Sequence, residues 1–228
     1  KSRRVVAMDP RSQGLSGQPD DGHTPERRGA DVGDVIAALD LAPVVPVCWS
    51  LAVAECVAMI EANGTDGLAG LVIVDGLAGG PWDPAFSPRM VAWVGNLQRN
   101  REAGTAAFVR TMYLEEQSEE YLEKVTGWSL QTPTDAMVAL MVGGITNDNR
   151  DVLDTLEVPV LMTVSASPFV PRYEEMRDRI PDVRFEVFQA GHALFVDDAE
   201  GFNARLDAFL AEIAGGERAA GEAEEAAE

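Results

Sequence analysis

The sequence predicts an α/β fold, a mostly parallel β-sheet flanked by helices, with a helical lid insertion. Two observations predict this fold. Short apolar runs alternate along the chain with amphipathic helical patterns, and several of these runs are continuously apolar. Continuous apolar runs are typical of parallel strands covered on both faces, and the alternation implies helical crossovers between them. Residues 79–156 interrupt the alternation and contain only helical patterns.

The strands and helices of the predicted core follow in chain order. Five short runs rich in β-branched and apolar residues are predicted as strands: 4–9, 44–49, 71–75, 158–164 and 184–189. Apolar residues at helical spacing predict helices in four further segments: 32–39, 50–60, 173–180 and 202–213. The core is therefore expected to comprise residues 1–78 and 157–213.

The insertion and the tail are predicted separately. Residues 79–156 should form a helical lid over one end of the sheet, and residues 214–228 a disordered acidic tail. Aromatic and methionine side chains beneath a lid suit an apolar substrate pocket. The candidate pocket residues, in and beside the insertion, are Trp49, Trp82, Trp93, Met112, Trp128 and Phe195.

Charge and composition exclude several classes of function. The chain has 228 residues and a net charge of −20, and so negative a surface repels nucleic-acid phosphates. No run approaches the roughly 18–20 apolar residues of a membrane span, and no signal segment opens the chain. We therefore expect a small-molecule substrate, no nucleic-acid or membrane partner and a cytoplasmic location. The sequence leaves the oligomeric state open.

The cysteines and the potential metal ligands indicate no special chemistry. Cys48 and Cys56 are the two cysteines, and they lie on different predicted elements. We expect buried free thiols in a reducing compartment. No cluster of residues has metal-ligand spacing, so no metal or other cofactor is expected.

Ser50 is the strongest local signal for chemistry. It lies between an apolar strand and a helix in the segment VCWSLA, residues 47–52. A serine at such a turn is presented above the sheet edge, and the Leu51 N–H points into the same space at a helix N-terminus. The turn needs small residues two before and two after the serine, and Cys48 and Ala52 occupy those positions. Ser50 is a candidate nucleophile, with helix N-capping as the alternative.

His192 is the candidate base. It is one of two histidines and follows the last predicted strand in QAGHALF, residues 189–195. Imidazole is suited to accept a serine proton near neutral pH, although a structural histidine is the alternative. The other histidine, His23, lies in a polar stretch and is predicted to be on a surface loop.

Four segments together resemble the α/β-hydrolase superfamily, in its serine esterase and haloperoxidase-like branch. They are DPRSQGLS (9–16), TPERRGAD (24–31), CWSLA (48–52) and GHALFVDD (191–198). They resemble, in order, the loop after the fourth strand, the helix before the nucleophile, the nucleophile elbow and the catalytic-histidine segment. The resemblance covers residues 4–213. It implies that Ser50 is the nucleophile and His192 the base.

The acid and the oxyanion site depart from the family pattern. Most relatives place an aspartate before a proline, where this chain has Ser167 before Pro168. Some relatives place the acid after the preceding strand, where this chain has Asp75, so we take Asp75 as the acid. The chain begins at the family's fourth strand, without the third strand and its oxyanion loop. Either upstream sequence precedes it or the scaffold is rebuilt, and Leu51 N–H is the one oxyanion donor that we name.

Three functions remain open at this point. The first is a serine hydrolase that cleaves a small apolar ester or lactone through an acyl-enzyme. The second is a cofactor-free dioxygenase, in which a histidine and an acid deprotonate an aromatic substrate that then reacts with oxygen. The third is a non-catalytic binding protein, which the departures from the family favour. Another segment, GWSL at 127–130, matches the usual elbow letters more closely, but no strand precedes it and we interpret it as a chance match.

Overall fold

The computed structural model describes residues 3–80, 83–84 and 86–225, with side chains described up to residue 215. Its centre is a four-stranded sheet in the order β1-β2-β3-β4, and all neighbouring pairs are parallel. The predicted α/β fold is therefore observed. The strands are β1 Val47–Trp49, β2 Leu71–Val74, β3 Val160–Ser165 and β4 Val183–Phe188.

Helices cover both faces of the sheet, which explains the continuously apolar strands. On β2, Leu71 and Ile73 enter the core on one face, while Val72 and Val74 enter the core on the other. Alternate residues of a strand point to opposite faces, so only a fully apolar run satisfies both. The covering helices are α1 Pro25–Ala38, α2 Ala52–Asn63 and α7 Val170–Arg177 on the first face, and α8 Leu194–Asp197 and α9 Ala199–Glu225 on the second.

The interrupting stretch is helical, as the sequence predicts. Its helices are α3 Ser87–Arg99, α4 Arg101–Arg110, α5 Glu119–Leu130 and α6 Thr134–Thr146, followed by a 3₁₀ turn, Arg150–Thr155. Helix α3 packs on α4 and α6, and α6 reaches α1. The backbone of α6 also lies against the start of α2, because a Cβ on Gly144 would clash with Leu51 Cδ1. The insertion therefore sits directly beside Ser50. Within the described ranges, no helix combines the length and apolarity needed to cross a lipid bilayer.

The predicted first strand is wrong. Residues 4–9 are assigned to neither a helix nor a strand, and Val5 is 86% exposed and Val6 43%. In the family order a third strand lies between this segment and β1. A strand forms only where a neighbour offers a hydrogen-bonding edge about 4.8 Å away, and among the described residues no strand pairs with this segment. The sheet accordingly ends at β1, where Val47 is half exposed.

Helix α9 extends into the predicted acidic tail, residues 214–228. Helix α9 continues to Glu225, and residues 226–228 lie outside the described residues. Alanine and glutamate are strong helix formers, so the tail can extend a helix that packing has already nucleated. The disorder of this tail stays a prediction.

Cys48 and Cys56 form a disulfide, which corrects the prediction of free thiols. Both cysteines are buried. Strand β1 and helix α2 diverge from the same tight turn, so residues eight positions apart lie with their Cα atoms 6.6 Å from each other. Disulfides are rare in the reducing cytosol, so the bridge removes the thiol argument for a cytoplasmic location, which stays a prediction.

His23 is buried instead of lying on a surface loop. Its Nε2 lies 2.8 Å from Ser12 Oγ, and the Arg11 guanidinium binds Asp31 of α1 in two hydrogen bonds of 2.6 and 2.7 Å. Ser12 pairs with His23, and Arg11 pairs with Asp31 of α1, so these polar side chains have hydrogen-bond partners inside the protein. The polar stretch around His23 can therefore be buried.

Candidate active site

A tight turn between β1 and α2 presents Ser50. Its φ of +56° lies in the left-handed region, which costs a residue other than glycine about 1–3 kcal/mol. Neighbouring contacts hold the turn: Ser50 N–H donates to Val74 O at 2.9 Å. A Cβ on Gly76 would clash with Ser50 O, so the loop after β2 lies directly against the turn. Any side chain at position 76 would therefore collide with the turn that carries Ser50.

Ser50, His192 and Asp75 form a continuous hydrogen-bonded chain. Ser50 Oγ lies 2.8 Å from His192 Nε2, and His192 Nδ1 lies 2.7 Å from Asp75 Oδ2. The serine follows β1, the aspartate follows β2 and the histidine follows β4. The carboxyl ends of parallel strands share one edge of the sheet, which is where this fold class places its ligands. The structure therefore brings together the three residues that the sequence selected.

Asp75 is buried and its carboxylate accepts several hydrogen bonds. Its side chain is 3% exposed, against 27% for His192. Ser165 donates its backbone N–H to Oδ1 at 2.7 Å, and its hydroxyl lies 2.9 Å from each carboxylate oxygen. Burial, together with the charge of this carboxylate, raises the pKa of Tyr173. Sequence reasoning missed Ser165 and Tyr173; the one available signal was the polar end of an otherwise apolar strand.

The backbone N–H of Leu51, the residue after Ser50, lies at the N-terminus of α2. Leu51 is the N-cap residue of that helix, and the partial positive charge of a helix N-terminus favours a developing oxyanion. No hydrogen-bond acceptor for this N–H is found within the part of the chain that the structure describes. Within the same part, no three His, Cys, Asp or Glu side chains are arranged to hold a metal ion.

Residues 1–205 match the sequence profile of the alpha/beta hydrolase family. The chain belongs to this family. The match spans the elbow, the aspartate and the histidine, so the three segments of the hydrogen-bonded chain are all inside it.

Individual relatives of this α/β hydrolase catalyse different reactions. The chain is 29% identical over 211 residues to an N-formylmaleamate deformylase from Pseudomonas putida, covering 90% of this chain and 78% of the relative. An esterase from Exiguobacterium antarcticum superposes with a TM-score of 0.81 at 20% identity, covering 88% of this chain and 78% of that one. A bromoperoxidase from Bacillus anthracis superposes with a TM-score of 0.79 at 21% identity, covering 88% and 79%. The two solved structures support the fold alone.

Trp49 and Phe195 pack against the His192 segment of this hydrolase. Trp49 Nε1–H donates to His192 O at 2.9 Å, and its ring centroid lies 5.1 Å from that of the imidazole. Phe195 contacts Trp49 edge-on at 5.0 Å. Both residues therefore lie beside His192 and orient the histidine loop, and their role in a substrate pocket stays a prediction.

The loop between α4 and α5 is attached to the same histidine segment. Met112 O accepts the Ala193 N–H at 2.8 Å. Asp197 Oδ2 accepts the N–H groups of Gly191 and Leu114 at 2.7 and 2.8 Å. Asp197 thus joins the insertion to the loop that carries His192. Its role was not predicted from the sequence.

Replacing Asp197 by alanine should lower the free energy of unfolding by about 2–3 kcal/mol, because hydrogen bonds to a charged group are worth about 1.5–3 kcal/mol each. The backbone amides of Gly191 and Leu114 should also exchange hydrogen faster. Urea unfolding and hydrogen exchange measure the two effects. Asp207→Ala, on the exposed side of α9, is the matched control, and equal losses in the two variants would contradict the role of Asp197.

The other pocket candidates lie elsewhere. Trp93 packs edge-on against Phe108 with centroids 5.2 Å apart, between α3 and α4. Trp128 is on the surface of α5, 53% exposed, with Lys124 Nζ 4.8 Å from its ring centroid. Trp128 lies on the exposed face of α5 and is not covered by a lid, whereas Leu122 on another face of the same helix is buried. Trp82 lies outside the described residues.

Ser129, the serine of the second GWSL segment, is part of a regular helix. Its hydroxyl donates to Val125 O at 2.9 Å inside α5. A side chain that bonds to its own helix is a common local arrangement and presents no nucleophile. This agrees with the interpretation of the segment as a chance match.

Proposed function

We propose that this α/β hydrolase is a serine hydrolase that cleaves a small ester or lactone through an acyl-enzyme on Ser50. The single observation that supports the proposal most strongly is the chain of hydrogen bonds from Ser50 Oγ through His192 to Asp75. A serine hydroxyl becomes a nucleophile when an adjacent base takes its proton, and a third group orients that base.

Each residue has one task in the first half of the reaction. His192 Nε2 accepts the Ser50 proton while Oγ bonds to the substrate carbonyl carbon. The Asp75 carboxylate accepts a hydrogen bond from the Nδ1–H, which keeps Nε2 free for the transfer, and its charge stabilises the imidazolium that forms. The Leu51 N–H donates to the oxyanion. Collapse of the tetrahedral intermediate breaks the carbon–oxygen bond, and the imidazolium protonates the departing alkoxide.

Water completes the cycle. His192 removes a proton from a water molecule, whose oxygen attacks the acyl carbon, and the Ser50 Oγ then leaves with the proton from the imidazolium. The apolar side chains of Trp49 and Phe195 beside His192 favour a small apolar substrate over a charged one. No cofactor enters these steps.

A formyl amide is the second candidate substrate class. The relative at 29% identity is a deformylase, and the same nucleophile and base serve acyl transfer from an amide. The leaving amine then takes the proton from His192. A substrate panel separates the two classes.

A fluorophosphonate probe tests the nucleophile directly. We expect the wild-type chain to be labelled and the adduct to map to Ser50 by mass spectrometry, because the probe traps activated serines. Ser50→Ala should remain unlabelled, and Ser129→Ala, the matched control, should label like the wild type. A folded wild-type chain that does not react would overturn the proposal.

Activity measurements then identify the reaction class. Short p-nitrophenyl esters, lactones and N-formyl amides should distinguish the two substrate classes by kcat/KM. Oxygen uptake with hydroxylated heteroaromatic compounds, abolished by His192→Ala, would instead support a cofactor-free dioxygenase. The absence of both activities would support a binding protein.

A further inference from the structure

The carboxylate of Asp75 accepts hydrogen bonds from a residue of β3. The parallel register pairs Val74 with Thr163, and the Asp75 N–H donates to Thr163 O at 2.8 Å. This register places Ser165, the last residue of β3, beside the aspartate side chain. Its N–H bonds to Oδ1, and its hydroxyl lies 2.9 Å from both carboxylate oxygens.

The two carboxylate oxygens therefore have different partners. Oδ1 accepts the Ser165 backbone N–H, while Oδ2 accepts from His192 Nδ1. A carboxylate held at one oxygen can rotate about its Cβ–Cγ bond. The Ser165 hydroxyl, which lies within hydrogen-bond distance of both oxygens, restricts that rotation in addition to the backbone N–H at Oδ1. Because Asp75 is 3% exposed, water does not supply these hydrogen bonds, and the protein must.

We propose that Ser165 is a positioning residue that holds the Asp75 carboxylate toward His192. The inference rests on the proposed function. In this chain β3 supplies hydrogen-bond donors and β2 supplies the acid.

A double-mutant cycle tests the proposal. In the wild-type background, Ser165→Ala should lower kcat about 10- to 100-fold with little change in KM, the effect of losing a buried hydrogen bond to a charged group. Ser165→Cys, which is close in size but a weak donor, should be intermediate. In the Asp75→Ala background, Ser165→Ala should change kcat and the probe-labelling rate of Ser50 by less than about twofold.

Thr163→Val is the matched control. It removes another buried hydroxyl from β3, one whose Oγ1 contacts Ile73 O at 3.4 Å and not the Asp75 side chain. We expect its kcat to stay within about twofold of the wild-type value. Circular dichroism and the melting temperature show whether each variant folds.

A spectroscopic measurement separates this inference from the proposed function. The proton between His192 and Asp75 should give a low-field NMR signal that His192→Ala abolishes and that Ser165→Ala shifts or broadens. An inactive, unlabelled wild-type chain would end the proposed function, while this signal would still decide the positioning role. Equal losses from Ser165→Ala with and without Asp75, or an unchanged signal and kcat, would overturn the inference.

Discussion

Replacing Asp75 by asparagine should lower kcat about 10⁴-fold, the loss measured for this change in a serine protease triad. An asparagine amide can donate to His192 Nδ1, and the proton then resides on Nε2, which can no longer accept one from Ser50. In the wild-type chain, Nδ1 and Oδ2 are 2.7 Å apart and the imidazole donates. In the variant the amide donates and the imidazole accepts. Steady-state hydrolysis of the best ester of the panel measures the effect.

The control for this variant is Asp178→Asn, on an exposed aspartate that pairs with Arg177 at 2.7 Å. It should leave kcat within about twofold of the wild-type value. A loss below tenfold for Asp75→Asn, in a chain that still labels at Ser50, would show that another group orients His192. The melting temperature distinguishes a misaligned base from an unfolded chain.

Replacing Arg28 by methionine should destabilise the protein by about 3–5 kcal/mol, the cost of removing one partner of a buried ion pair. Arg28 Nε lies 3.1 Å from Glu55 Oε1, and the two side chains are 3% and 4% exposed. The pair lies between α1 and α2, whose backbones touch at Gly29, where a Cβ would be 2.5 Å from Glu55 O. Urea unfolding measures the difference in the free energy of unfolding between the wild-type chain and Arg28→Met.

The destabilisation should depend on pH. Burial raises the pKa of Glu55 from 4.5 to about 7, and the Arg28 charge limits that rise. The folded chain thus binds this proton more tightly than the unfolded chain, so the contribution of Glu55 to stability declines as pH rises from about 4.5 through 7. Without Arg28 the pKa rises further, and the loss should be larger at pH 8 than at pH 5.

Two further variants check this explanation. Arg28→Met combined with Glu55→Leu should recover most of the loss, because no charge then remains buried. Arg99→Met, on the exposed side of α3, should change the free energy of unfolding by less than about 0.5 kcal/mol. A loss that is the same at both pH values and persists in the double variant would contradict the buried-charge explanation.

Local sequence determined the parts of the protein that depend on neighbouring residues. Apolar runs predicted the four observed strands to within a few residues, because parallel strands buried on both faces have no polar positions. The turn around Ser50 was predictable because a strand that passes directly into a helix exposes the residue between them. The chain order of Ser50, Asp75 and His192 agreed with a known family, and the structure places all three in one hydrogen-bonded chain.

Only the tertiary structure decided the features that need a distant partner. Residues 4–9 have strand-like composition, but no strand of the described part of the chain pairs with them. Trp128 has the large aromatic side chain expected of a pocket residue, but it is exposed on the surface of α5. The disulfide depends on how β1 and α2 diverge, and the position of Ser165 beside Asp75 depends on the register between β2 and β3. A sequence shows what each segment prefers. Which segments meet depends on packing and hydrogen bonding between residues far apart in the chain.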